Sequence, residues 1–62
     1  MKHIIYKNFL GYCVTTLENY NAKIRNERAV QKCYDFKNTD EIIEYYCEYF
    51  KCNREDFIIA VE

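Results

Sequence analysis

Four cysteines and one histidine are the residues of this chain that could bind a metal ion or act as nucleophiles. Structural zinc sites usually pair their ligands across about two to four intervening residues. Cys47 and Cys52 are the closest pair here, and Cys13 and Cys33 stand far from each other and from that pair. The spacing therefore predicts no metal site and no cofactor. It favours reduced thiols that pack as small hydrophobic groups.

Catalysis by one of these thiols would need a base to deprotonate and orient it, and His3 is the single histidine. We expect His3 to lie in a frayed terminus, where no scaffold fixes the imidazole. The sequence also lacks a Gly-rich phosphate loop, a G-x-S-x-G motif and an H-E-x-x-H motif. A chain of 62 residues leaves little room for a concave pocket. We therefore predict a protein that is not an enzyme.

Length and composition predict one small domain that spans residues 1–62. Half of the residues are hydrophobic and 31% are charged, which is typical of a globular chain. Seven Tyr and four Phe indicate a core made of a few bulky side chains. Chains this short often complete their core by self-association, so a homodimer is kept beside the monomer as an alternative.

The apolar residues near the amino terminus are too few for a signal peptide or a membrane span, because Lys7 and Asn8 interrupt them. We therefore expect a cytoplasmic protein without a membrane partner, in a compartment that keeps thiols reduced. A disulfide between Cys13 and Cys33 is an alternative, since the two residues would face each other if their segments formed a hairpin.

Three segments in the first part of the chain have the β-branched or alternating residues of strands. The residues between the second and third segments are rich in Asn and in charge, and they predict a connection. The pattern indicates an antiparallel β-hairpin or a three-stranded sheet. The three segments are residues 2–9, 11–18 and 29–36, and the connection is residues 19–28.

The middle of the chain also supports a second, mostly helical interpretation. Thr15 and Glu18 fit a capping box, in which each side chain binds the backbone N–H of the other residue. Leu17, Tyr20 and Ile24 then follow at helical spacing. The density of Asn favours the hairpin, and the choice between strand and helix stays open at this point.

The second half of the chain predicts two helices. Asn38 or Thr39 caps the first helix, over residues 40–51, and acidic side chains occupy its first turn. Asn53 is a second N-cap, followed by a short helix over residues 54–62. The predicted fold class is therefore α+β, with a small antiparallel sheet followed by two C-terminal helices.

A helical wheel of residues 40–51 separates a hydrophobic face from an acidic one. The hydrophobic arc consists of Ile42, Ile43, Tyr46, Cys47 and Phe50. Two further tyrosines lie outside that arc, among or beside the glutamates. Exposed tyrosine offers a large contact area at low entropic cost and is enriched at interfaces. The predicted partner-binding surface is Glu41, Glu44, Tyr45, Glu48 and Tyr49.

We expect this acidic surface to bind a larger protein or nucleoprotein complex whose own surface is basic. The first hypothesis is a non-enzymatic inhibitor or adaptor that occludes a surface of that complex. A structural homo-oligomerising module, whose interface hides Tyr45 and Tyr49, is an alternative. An ordinary solvated helix face is a further alternative, because exposed glutamates and single exposed aromatics are common.

Charge is unevenly distributed along the chain. Residues 1–39 carry seven basic and three acidic side chains, and residues 40–62 carry two basic and seven acidic side chains. Lys23, Arg25 and Arg28 form a local basic cluster that offers possible nucleic-acid contact. A small nucleic-acid-binding or transcription-modulating protein is therefore an alternative function, although a net charge of −1 argues against it.

The small size, the composition rich in Tyr, Asn, Ile and Lys, and the hairpin-then-helix pattern resemble many small proteins of phages and mobile elements. Some of these, including anti-CRISPR proteins, block host defence complexes by binding them. The resemblance covers no specific motif, and what it implies is an anti-defence binding protein.

Overall fold

The computed structural model describes residues 2–60 and has the α+β fold class that the sequence predicts. Within this range none of the helices has the length and apolar character needed to cross a bilayer. The strands are β1 (His3–Asn8), β2 (Gly11–Thr16), β3 (Gln31–Cys33) and β4 (Phe57–Ala60). The helical segments are α1 (Leu17–Asn21), α2 (Thr39–Phe50) and a 3-10 turn (Arg54–Asp56).

The four strands form one mixed sheet in the order β3-β2-β1-β4. β2 pairs antiparallel with both β1 and β3, whereas β4 runs parallel to β1. The connection from β3 to β4 joins the two edges of the sheet and contains α2. The prediction of a purely antiparallel sheet is therefore wrong, because the carboxyl-terminal segment adds a parallel strand.

The predicted helix over residues 54–62 is wrong beyond its first turn. Asn53 precedes the 3-10 turn as expected of an N-cap, and its backbone N–H donates to Asp56 Oδ2 over 3.1 Å. The isoleucines that follow pair with β1 as part of β4. β-Branched residues suit a pleated strand, and β1 offers them backbone partners that a short terminal helix lacks. Residues 61–62 of that predicted helix lie outside the described part of the chain.

In the middle of the chain, one part fits the hairpin prediction and another fits the helical prediction. β3 returns antiparallel to β2, as the hairpin predicts, but it is much shorter than the predicted strand. Between them, α1 is a short helix whose N-cap is Thr16, and the Thr16 hydroxyl accepts from the Asn19 N–H over 3.0 Å. Thr15 stays in β2, where its hydroxyl donates to the Ala29 carbonyl over 2.7 Å. The helix therefore begins one residue later than a cap at Thr15 would place it.

The start of α2 follows from the sequence. Asn38 rather than Thr39 is the N-cap, and its side-chain oxygen accepts from the Glu41 N–H over 2.9 Å. Glu41 Oε1 in turn accepts from the Lys37 N–H over 3.2 Å. These two bonds satisfy backbone donors that a helix start would otherwise leave without partners.

The hydrophobic core lies between one face of the sheet and α2. Ile42 of α2 is fully buried and belongs to the same cluster as Ile5 and Val14 of the two central strands. The hydrophobic arc predicted for this helix is confirmed. Three of its members are buried, Ile42, Ile43 and Tyr46, and two pack at the edge of the core, Cys47 and Phe50.

The alternative of a disulfide between Cys13 and Cys33 is wrong, and all four cysteines are free thiols. In the β2–β3 register, Cys13 pairs with Lys32 and Cys33 pairs with Tyr12. Successive side chains of a strand point to opposite faces, so the two thiols lie on opposite sides of the sheet. Cys33 packs in the core, and Cys13 lines a cavity on the other side.

His3 is ordered and buried, contrary to the expectation of a frayed terminus. It is 6% exposed, and its ring centroid lies 4.3 Å from that of Phe50 and 5.4 Å from that of Phe57. Its Nδ1 atom is buried without a hydrogen-bond partner among the described residues. Burial lowers the pKa of His3, so the neutral imidazole is favoured. The expectation failed because pairing with β4 anchors the first strand.

The lowered pKa of His3 predicts that the protein loses stability on acidification. As pH falls below the ordinary His pKa of 6.5, the unfolded chain takes up a proton that the folded chain resists. The free energy of unfolding is therefore highest above pH 6.5 and decreases between that value and the lower pKa of the folded state. We expect a lower thermal midpoint at about pH 5.5 than at about pH 7.5.

The variant His3→Phe keeps a stacked aromatic ring and removes the titrating group. Circular dichroism melts of both proteins at the two pH values measure the effect. We expect the variant to lose most of the decrease in midpoint, and an equal decrease in both proteins would contradict the assignment to His3.

Candidate functional site

The acidic side of α2 carries two exposed tyrosines. Tyr45 and Tyr49 are 53% and 60% exposed. Their ring centroids lie 6.3 Å apart with an interplanar angle of 24°. The i, i+4 spacing brings the side chains one helical turn apart on the same face. Two large rings therefore lie side by side at the surface, outside the buried arc of the helix.

Contacts from the core side hold these two rings in place. The ring of Tyr46, which is buried, lies 4.8 Å from that of Tyr45 and 5.5 Å from that of Tyr49, both edge-on. The ring centroid of Phe36 lies 5.7 Å from that of Tyr45, and the ring centroid of Phe50 lies 5.1 Å from that of Tyr49. Edge-on and tilted aromatic contacts have preferred geometries, so they restrict the rotation of the exposed rings. The pair is therefore preorganised, which lowers the entropic cost of binding.

A shallow cavity of about 250 Å³ is lined by the two exposed rings and by Glu48. Glu44 and Glu48 are exposed, and neither forms an ion pair within the described residues. Carboxylates without a partner keep their full charge available to a bound molecule. We call Glu44, Tyr45, Glu48 and Tyr49 the tyrosine–glutamate surface.

The other acidic residues at the start of α2 are already engaged within the fold. Asp40 pairs with Arg54 at 3.4 Å. Glu41, which the sequence analysis assigned to the binding surface, is exposed but accepts from the Lys37 N–H. Glu41 therefore lies at the margin of the site and has a structural role at the helix start.

The chemistry of this surface suits a cationic side chain. The faces of tyrosine rings attract Lys and Arg through cation–π interactions. A carboxylate beside the rings adds a charge-assisted hydrogen bond, which for arginine can be bidentate. The tyrosine–glutamate surface combines both features within two turns of helix.

The three basic residues that the sequence predicts for nucleic-acid contact, Lys23, Arg25 and Arg28, are all exposed. Lys23 follows α1 in a left-handed conformation with φ of 61°. Arg25 stacks within the fold, with its guanidinium carbon 4.5 Å from the centroid of Tyr20 and 5.2 Å from that of Tyr6. Arg28 lines a different cavity from Arg25. Nucleic-acid contact through these three residues stays a prediction.

Two of the four thiols, Cys33 and Cys52, have a raised pKa. Burial raises the pKa of the Cys33 thiol, and burial followed by the neighbouring Cys47 raises that of Cys52. Burial and the nearby Cys33 also raise the pKa of the Tyr46 hydroxyl. Groups with raised pKa stay protonated near neutral pH, where a thiol is a poor nucleophile. Across residues 2–60, no three side chains of His, Cys, Asp or Glu gather where they could share a metal ion.

A second concave region, which the sequence analysis missed, lies on the side of the sheet opposite α2. Its volume is about 310 Å³, and its lining includes Tyr6, Cys13, Arg25, Val30 and Lys32. These residues come from three strands, β1, β2 and β3, and from the segment between α1 and β3. These residues are far apart in the sequence and form no motif. Their proximity follows only from the pairing register of β1, β2 and β3.

Comparison of this chain with protein-family models, with curated proteins and with solved structures finds no match. The function must therefore be inferred from the chain's own residues and their geometry.

Proposed function

We propose that this protein is a non-enzymatic binding protein, an inhibitor or adaptor that occludes a basic surface of a larger protein or nucleoprotein complex. The observation that carries the proposal is the preorganised pair of exposed rings, Tyr45 and Tyr49, beside unpaired carboxylates. Rigid aromatic side chains surrounded by polar groups are the common anchors of protein interfaces.

The two kinds of side chain contribute differently to binding. Covering the exposed parts of both rings removes apolar surface from water, which provides affinity. Glu44 and Glu48 select a partner of opposite charge and accelerate association, an effect that salt screens. The uneven charge of the chain supports this assignment, since residues 40–62 carry most of its acidic side chains.

An anti-defence role is one biological setting for this activity. A small protein that covers a nucleic-acid-binding surface of a defence complex would present acidic and aromatic side chains where the nucleic acid otherwise lies. The support for this setting is the general resemblance to small phage and mobile-element proteins, together with the acidic character of the surface.

The paired substitution Tyr45→Ala with Glu48→Gln tests the proposal. Removing one ring and one charge should weaken the complex by at least about 30-fold, which corresponds to a hot-spot loss of about 2 kcal/mol. The thermal midpoint should change little, because both side chains are exposed. Immobilised protein first captures the partner from host lysate, and titration of the purified partner then measures the dissociation constants.

The matched control replaces an aromatic and a glutamate elsewhere on the surface, Phe9→Ala with Glu55→Gln. Phe9 is 94% exposed at the β1–β2 turn, and Glu55 is exposed in the 3-10 turn. The control should retain the partner and show weaker binding as salt rises. Equal retention by both double variants, or capture of nothing but further copies of this chain, would refute the proposal.

A further inference from the structure

The cavity opposite α2 has an apolar interior. Val30 is 8% exposed and Cys13 is 1% exposed, and both contribute to its lining. The side chains of Tyr6 and Tyr34 add aromatic surface. Small-molecule sites combine such a lining with a few polar groups, at volumes from about 300 Å³ upward. The volume of about 310 Å³ lies at the lower end of that range.

Arg25 is held rigidly at this cavity. Its guanidinium contacts the rings of Tyr20 and Tyr6, with its central carbon 4.5 Å and 5.2 Å from their centroids. Its Nη1 atom donates to the carbonyls of Tyr20 and Asn19 at 3.2 Å and 3.5 Å. These contacts fix the plane of a side chain that is otherwise flexible and exposed.

The remaining donors of Arg25 have no acceptor within residues 2–60. A guanidinium carries five N–H groups, and the bonds observed here involve Nη1 alone. Nε and Nη2 form the planar fork that binds a carboxylate with two parallel hydrogen bonds. The fold thus fixes an arginine and leaves its carboxylate-binding edge unused.

The charges around the cavity favour an anion. Arg25 and Lys32 are both among the lining residues, and Glu27 is the one carboxylate there. Lys32 Nζ lies 3.6 Å from Glu27 Oε2, and both side chains are largely exposed. An exposed pair of this kind is weak, so Lys32 can turn toward a bound anion at little cost.

We propose that this cavity binds a small aromatic carboxylate, with the ring against Val30 and the tyrosines and the carboxylate on Arg25. A cavity of about 150 Å³ suffices for benzene. The volume of about 310 Å³ therefore accommodates one ring with a short acid side chain. The same chemistry occurs in a free aromatic acid and in a peptide that ends with phenylalanine or tyrosine.

Titrations followed by ¹H–¹⁵N NMR test the proposal with three probes: 3-phenylpropanoate, its neutral amide, and a tripeptide ending in phenylalanine. We expect saturable shifts around Arg25 and Val30, with a dissociation constant of about 1 mM or below for at least one of the two acids. The amide should bind at least about tenfold more weakly, because it lacks the charge that pairs with the guanidinium. The stronger acid identifies the source, free molecule or peptide terminus.

Two variants test whether binding of the acid depends on the planar guanidinium of Arg25 or on positive charge at the cavity in general. Arg25→Lys keeps the positive charge but lacks the planar fork, and we expect it to weaken acid binding about tenfold. Lys32→Gln leaves the stacked arginine intact and removes the second cation, so it should weaken binding to a smaller extent. Arg54→Gln, which lies outside the cavity, is the control and should bind as wild type.

Equal affinity for acid and amide, shifts confined to Tyr45 and Tyr49, or unchanged binding in both cavity variants would overturn the proposal. An absence of saturable shifts for both acids at about 20 mM would do the same. Because the cavity and the tyrosine–glutamate surface lie on different elements, failure here leaves the proposed partner-binding function untouched.

Discussion

Replacing Ile42 by alanine is expected to lower the free energy of unfolding by about 3–4 kcal/mol. Ile42 is fully buried near the start of α2, where it packs with Ile5 and Val14. Truncation removes buried apolar atoms and leaves a cavity that the tightly packed sheet cannot fill. A chain of this length has a total stability of roughly 3–9 kcal/mol, so the variant is expected to lose about a third of it or more.

Urea denaturation followed by circular dichroism measures this loss. With a slope of about 1 kcal/mol per molar urea, the midpoint should fall by about 3 M or disappear. Tyr45→Ala, at an exposed position of the same helix, is the control, and it should cost less than about 1 kcal/mol. Similar losses in the two variants would show that α2 does not bury the face assigned to the core.

Replacing Gly11 by alanine is expected to cost about 2–4 kcal/mol. Gly11 begins β2 with φ of +143°, a conformation that side chains with a Cβ rarely adopt. An added Cβ would also lie 3.1 Å from Tyr34 Cδ1 and 3.3 Å from Tyr34 Cα. The tight turn before it has little freedom to adjust, because Asn8 Oδ1 accepts from the N–H groups of Leu10 and Gly11 at 2.8 Å and 3.0 Å.

A D-alanine at the same position relieves both the unfavourable φ and the contact with Tyr34, and a chain of 62 residues is accessible by chemical synthesis. The D-residue prefers positive φ and directs its methyl group away from the position of an L-Cβ. We expect it to retain most of the stability that L-alanine loses, as measured by urea midpoints. Equal destabilisation by both enantiomers would contradict the explanation from the positive φ and the contact with Tyr34.

The sequence was most informative about α2. Its cap at Asn38, its buried arc and its exposed tyrosines all follow from interactions between residues at most four positions apart. Such contacts depend on helical geometry alone, so the wheel placed Tyr45 and Tyr49 outside the core without knowledge of the sheet. For the same reason, most of the candidate binding surface could be predicted.

The sequence was less informative wherever a residue depends on a distant strand. The short final helix was predicted from the cap at Asn53, but β1 offers the isoleucines of β4 a better partner. His3 was expected to fray, and the pairing of β1 with β4 together with the rings of Phe50 and Phe57 buries it. Both errors have one cause, the parallel contact between the two ends of the chain.

By itself, the sequence determined the α+β class, the helix α2 with its two faces, and the segments of β1 and β2, because propensity, capping and periodicity act locally. It left the choice between strand and helix open for the residues that form β3. Only the tertiary structure decided the strand order, the parallel strand β4, the opposite orientations of Cys13 and Cys33, and the cavity at Arg25. These features depend on register between strands far apart in the chain. A shift of one residue would exchange the two faces of a strand while leaving its local pattern unchanged.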